Sequence, residues 1–171
     1  GIEDIEYEVI VSDVSGTVIQ TETGYIDFLN AGATIGVASQ MYLEEGQVAD
    51  AVDIEWVYYM DAEGSVNNPF TFQNNRYYFD PYWDRFTAVM INNDASAYTN
   101  VRVDVVAFDS AGAIIGGGFT YVNFIPGNDQ VGVSITGYVS DDPVRFEFFP
   151  RLNVLSQSLS NEELTQNLNI L

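Results

Sequence analysis

The 171-residue chain contains no cysteine, no histidine and no lysine. Its side-chain positive charge rests on five arginines: Arg76, Arg85, Arg102, Arg145 and Arg151. Each absence removes a class of chemistry. Without cysteine there is no disulfide framework and no thiolate. Without histidine there is no imidazole base and no imidazole metal ligand, and without lysine no Schiff base. The carboxylate doublets Asp141-Asp142 and Glu44-Glu45 are the one arrangement suited to glycoside hydrolysis, and both read as solvated loops beside strand ends. The expectation is a protein that is not an enzyme. No apolar run approaches the roughly twenty residues of a membrane-spanning helix, and no Asn-x-Ser/Thr acceptor for N-glycosylation occurs.

What is present is acid and apolar surface. The chain carries 25 acidic residues and a formal charge of −20, with 47% hydrophobic and 14% aromatic residues. Such a field repels phosphate backbones and anionic lipid surfaces, so nucleic acid and membrane are not expected partners. The hydrophobic content is ample for packed cores. The chain opens on glycine rather than methionine, which suggests a mature extracellular or cell-surface protein after signal-peptide removal. A cleaved tag would leave the same start.

The sequence repeats itself. Shifted by 96 positions, Ile5–Leu43 lies over Val101–Val139 without a gap, with nine identities in 39 pairs. Val9/Val105, Asp13/Asp109, Gly16/Gly112, Tyr25/Tyr121 and Phe28/Phe124 are among them. After a four-residue difference in loop length, Val52–Trp56 lies over Val144–Phe148. The second copy has strands of its own ahead of Val101, whereas only Gly1–Asp4 precedes the first. A β-unit that begins part-way leaves edges unpaired and apolar faces uncovered.

Period-two apolar patterns, as in Ile5, Tyr7, Val9 and Val11 or Val101, Val103 and Val105, predict half-buried strands. Asp13-Val-Ser-Gly16, Asp61-Ala-Glu-Gly64 and Asp109-Ser-Ala-Gly112 read as Asp-x-x-Gly turns. The predicted fold is all-β: tandem immunoglobulin-like antiparallel sandwiches with a short C-terminal tail or helix. Residues 1–66 form the incomplete copy, 67–150 the complete one and 151–171 an apolar tail. Within that tail Ser160 and Glu163 form a capping box ahead of Leu164, Leu168 and Leu171. Tyr25 and Phe28 are expected at the same core positions as Tyr121 and Phe124.

The second copy resembles the FxLYD family of prokaryotic extracellular immunoglobulin-like modules. The resemblance is carried by Ala88–Asn93, by Asn100–Asp109 with Ala111-Gly112, and by Ile125-Pro126-Gly127. Val105, Ala107, Phe108 and Asp109 stand where phenylalanine, leucine, tyrosine and aspartate are usual. The first copy matches only from Ile5, with Ser12 at the aromatic position and Asn30-Ala31 in place of Pro-Gly. The resemblance implies a secreted or surface-attached β-sandwich and brings no catalytic residues.

Candidate sites follow. Oxygen-rich turns at Asp13, Asp109, Asp129, Asp141 and Asp142 are the only candidates for a cofactor, calcium; hairpin capping accounts for the Asp-x-x-Gly pair without it. Tyr77, Tyr82 and Trp83 form a candidate stacking surface for a sugar, such as a surface polysaccharide, or else pack internally. Ile2, Ile5 and Tyr7 at one end, and Leu152, Val154, Leu155, Leu159, Leu164, Leu168 and Ile170 at the other, are the candidate assembly residues. The favoured expectation is a pilus-like filament or surface layer of identical subunits joined by strand donation. The alternative is a monomeric adhesion or carbohydrate-binding module completed in cis by its tail.

Overall fold

The computed structural model describes residues 1–151, so the apolar tail and its capping box lie outside the described residues. Among the described residues every regular element is a strand and all pairing is antiparallel. The chain divides into two compact units. Residues 1–34 and 40–66 form unit 1, while Ile35–Ser39 joins everything from Asn67 onward in unit 2.

Unit 2 holds β4 (Phe70–Tyr78), β5 (Asp84–Asn92), β6 (Tyr98–Phe108), β7 (Ile114–Ile125), β8 (Gln130–Val139) and β9 (Arg145–Arg151). They form one sheet in the order β4-β5-β8-β7-β6-β9. Between β7 and β8 only three pairs bond, Gly116–Gly118 against Gly137–Val139. There the sheet folds over. A Cβ added to Gly116 or Gly118 would lie 2.0 Å or 2.6 Å from a β8 carbonyl oxygen, so the corner closes only without side chains. The fold brings β4 and β5 against β9, where Phe72 stacks on Phe148 and Phe86 meets Phe146 edge-on. Phe86, Met90, Val103, Val105, Ile125 and Ile135 fill the interior of this β-sandwich.

Unit 1 is smaller: β1 (Ile2–Ser12), β2 (Val18–Leu29) and β3 (Ala51–Asp61) in the order β2-β1-β3. Its described strands repeat the β7-β6-β9 part of unit 2. The β1–β2 register is the β6–β7 register displaced by 96, with Ile5 opposite Ile26 as Val101 is opposite Val122. A bulge falls at Val11/Ser12 and again at Ala107/Phe108. The equivalence reaches back beyond Ile5: Asp4 and Asn100 both adopt left-handed backbone, with φ of 49° and 57°. Aspartate and asparagine are the side-chain-bearing residues that tolerate it.

Three expectations change. Ile54 pairs with Val9 as Phe148 pairs with Val105, so Ala51–Glu55 is the counterpart of Arg145–Phe149 and the loops differ by two residues rather than four. Tyr25 and Tyr121 do share a register position, but they point away from the core. They are 62% and 53% exposed, while their neighbours Ile26 and Val122 are buried. Finally, Ile35–Leu43, the counterpart of the β8 region, forms no strand. In unit 2, β8 bonds to β5 over eight residues and to β7 over only three. Among the described residues unit 1 holds no counterpart of β5, and without it a β8-like segment has lost most of its ladder.

Candidate functional site

Strand β6 is buried on both faces from Val103 to Ala107. Val103, Val105 and Ala107 face the core, while Asp104 and Val106 alternate onto the opposite face. Ile35–Ser39 covers that second face. Gly36 lies where a Cβ would meet Phe149 at 2.3 Å and Val106 at 2.7 Å. Asp104, with no exposed surface, accepts the Ala38 N–H at 2.9 Å. It also accepts Arg102 Nη2 at 3.0 Å and Arg151 Nε at 2.8 Å, and Arg102 donates back to the Ala38 carbonyl. Arg102 lies over the Phe119 ring at 3.9 Å. Burial works to lower the Arg102 pKa, but the hydrogen bond and charge of Asp104 prevail and hold it above its ordinary value. A buried carboxylate with two guanidinium partners and a backbone donor is fully satisfied. This cluster fastens a segment of the first repeat to the second unit, and nothing in the sequence pattern announced it beyond the rarity of arginine.

The open feature is β3. Burial in unit 1 is confined to Ile5, Tyr7, Val9 and Val11 of β1 and to Ile26 of β2. Every residue of β3 is exposed. Val52, Ile54 and Trp56 share a face with Val11, Val9 and Tyr7, yet are 62%, 52% and 53% exposed. Their counterparts Val52/Phe146 and Ile54/Phe148 differ in surroundings: Phe148 is only 9% exposed, beneath Phe72. Val57, Tyr58, Tyr59 and Met60 are exposed as well. Among the described residues β3 bonds only to β1, so its far edge offers a row of unpaired main-chain groups.

The other candidate residues fall into place separately. Ile2, Ile5 and Tyr7 lie on β1, which is bonded on both edges as the central strand. An N-terminal donor strand is therefore not what this arrangement presents. Leu152, Val154, Leu155, Leu159, Leu164, Leu168 and Ile170 lie outside the described residues. Tyr77 packs on Phe86 and donates its hydroxyl to Asp84 at 2.6 Å, and Asp84 in turn accepts the Val139 N–H. Burial first, then Asp84, raises the Tyr77 pKa well above its ordinary value. Tyr82 and Trp83 sit at the β4–β5 tip, exposed, where Asp80 accepts their backbone N–H groups.

The acidic turn residues serve their own turns. Asp13 accepts Ser15 and Thr17 N–H, and Asp109 accepts Ala111 and Ala113 N–H in the same way. The Ser15 hydroxyl and these backbone donors hold the Asp13 carboxyl below its usual pKa. Asp129 accepts Gln130 N–H and Asp141 accepts Asp142 N–H. Among the described residues no three acidic side chains converge into a metal-holding group. Nor is any helix there long and apolar enough to cross a membrane. Comparison with family models, curated proteins and solved structures finds no match.

Proposed function

We propose that this chain is a non-enzymatic structural subunit of an extracellular filament or surface layer, polymerising by strand complementation between neighbours. One observation carries the reading: unit 1 repeats three of the six strands of unit 2 in order and register, and its β3 is exposed along its whole length. A strand of this composition left open is an invitation to pairing. A contact in which one subunit's segment enters the next subunit's sheet is heterologous and propagates rather than closing. The FxLYD-like features of the second copy agree with an extracellular setting. Neither calcium nor another cofactor is needed for this mode of joining.

The test is negative-stain electron microscopy with light scattering on the full chain and on a chain ending at Arg151. Polymers from the first and none from the second support the reading. A full chain that stays monomeric at high concentration overturns it. The second reading, a monomeric adhesion module that stacks surface polysaccharide on aromatic rings, rests on the exposure of Tyr82 and Trp83. Glycan binding lost in Tyr82→Ala and Trp83→Ala, by a chain that remains monomeric, would favour it.

A further inference from the structure

We infer that the outer edge of β3 is the acceptor, and that its occupant is the Leu152–Asn161 stretch of a second copy of this chain, added in the plane of the sheet. The inference rests on the strand-complementation reading and assigns its site. The sheet β2-β1-β3 has two edges, and they are not equivalent. In unit 2 the β7 edge receives β8 only because Gly116 and Gly118 put no side chain in the way. The corresponding positions on β2 are Gln20 and Glu22, which carry the side chains that Gly116 and Gly118 lack. A strand approaching as β8 does is blocked at β2. The β3 edge carries no such obstacle.

The chemistry of β3 selects its partner. Asp53, Glu55 and Asp61 make this edge acidic, so in a chain of charge −20 most segments would meet it with like charge. Leu152–Asn161 has no charged residue, no proline and no glycine. Proline would remove a ladder donor and glycine would weaken the strand. The apolar residues of β3 lie at both parities, with Val52, Ile54 and Trp56 on one and Val57 and Tyr59 on the other. The proposed donor matches this two-sided pattern, with Leu152 and Val154 at one parity and Leu155 and Leu159 at the other. The other uncharged runs of eight residues or more that are free of proline and glycine are Phe86–Asn93, built into β5 up to Asn92, and Leu164–Leu171, which is shorter than β3. Ten residues at about 3.3 Å each match the length of β3.

The absence of cysteine makes the test unambiguous. Single cysteines are placed at Ile54, Trp56 or Tyr58 in one preparation and at each position from Asn153 to Leu159 in another. The two are mixed under polymerising conditions and oxidised. A mixed disulfide at one register, with neighbouring registers alternating between reactive and silent, is the expected result. Double variants carrying both cysteines distinguish source: crosslinking only within one chain means cis completion and overturns the inference. Filaments that form without any crosslink at β3 overturn the β3 assignment while leaving strand complementation standing. Failure of every variant and of the unmodified chain to polymerise overturns the underlying reading instead. Independently, a synthetic peptide of Leu152–Asn161 should bind the chain ending at Arg151, with at least a tenfold loss in Ile54→Lys; equal binding by that variant would also exclude β3.

Discussion

The carboxylate of Asp104 accepts the backbone N–H of Ala38 at 2.9 Å, joining residues 66 positions apart. Ala38 belongs to the first repeat by sequence and to the second unit by structure. Asp104 is thereby both the counter-ion of Arg102 and Arg151 and the anchor of the Ile35–Ser39 segment. Asp104→Ala removes both functions and takes the counter-charge away from two largely buried guanidinium groups. We expect a loss of about 3–5 kcal/mol in urea unfolding. Asp104→Asn, which keeps an acceptor but not the charge, should fall between. Hydrogen exchange at the Ala38 amide should accelerate in both, and an unchanged rate would mean that the segment is held by packing alone.

The glycine corner gives a contrast within one strand pair. Gly117→Ala places a Cβ 2.1 Å from the Val105 carbonyl oxygen, whereas Gly132 has open space around it. Forcing backbone apart at a close approach costs roughly 1–3 kcal/mol. Gly117→Ala should therefore lower the thermal midpoint clearly and Gly132→Ala should leave it within error. Equal effects would show that the close approach of β6 to β7 at Gly117 relaxes freely.

Asn100 and Asp4 occupy left-handed backbone at matching positions of the two repeats. A β-branched residue there pays roughly 1–2 kcal/mol for that conformation. Asn100→Val should be destabilising by this amount and Asn100→Gly close to neutral, as read by chemical denaturation.

Alkaline pH should expose two guarded phenols. Burial, with the Asp94 carboxylate bonded at 2.9 Å, pushes the Tyr98 pKa up to about 12 from 10.0. Because the folded value exceeds the unfolded one, its stabilisation is complete below pH 10 and is lost as pH rises from 10.0 towards about 12. Tyr77 is raised further for the same reasons, with Asp84 in the place of Asp94. Tyrosinate absorbance should thus show two of the 11 tyrosines lagging the rest until unfolding. Tyr98→Phe should flatten the loss of stability between pH 10 and 12. On the acid side, Asp94, held low by the Ser96 backbone N–H and then Tyr98, contributes above its unfolded value of 3.8 and loses that contribution as pH falls through its lowered folded value.

Subunits carrying −20 repel one another when stacked side by side. The Debye length is only about 8 Å at physiological ionic strength. Lateral bundling of the proposed filaments should therefore rise with salt, with divalent cations or near the isoelectric point of about 4.1. Turbidity that stays flat across about 10 mM to 1 M salt would remove surface repulsion as the control.

The strands and hairpins were readable because their signals are local. Alternating valines and the Asp-x-x-Gly turns placed β1–β2 and β6–β7, and Gly16 and Gly112 do take positive φ, 80° and 81°. The third such motif, Asp61–Gly64, ends β3 without closing a hairpin, since β3 and β4 do not pair. The exposure of β3 was not legible, because Val52, Ile54 and Trp56 have the pattern of a covered strand and are bare because no other described strand lies over them. Nor was the fate of Ile35–Leu43: its similarity to the β8 region is real, but a strand needs a partner, and among the described residues of unit 1 that partner has no counterpart. The Asp104 cluster depends on residues at 38, 102, 104 and 151 meeting in space, which no local pattern encodes.

Because Ile35–Ser39 belongs to unit 2, the backbone passes between the units three times, after Thr34, after Ser39 and after Val66. The middle stretch is anchored inside unit 2 by the Ala38 amide on Asp104 and by Arg102 on the Ala38 carbonyl, so withdrawing Ile35–Ser39 from unit 2 breaks charge-assisted hydrogen bonds in a segment whose two ends both continue into unit 1.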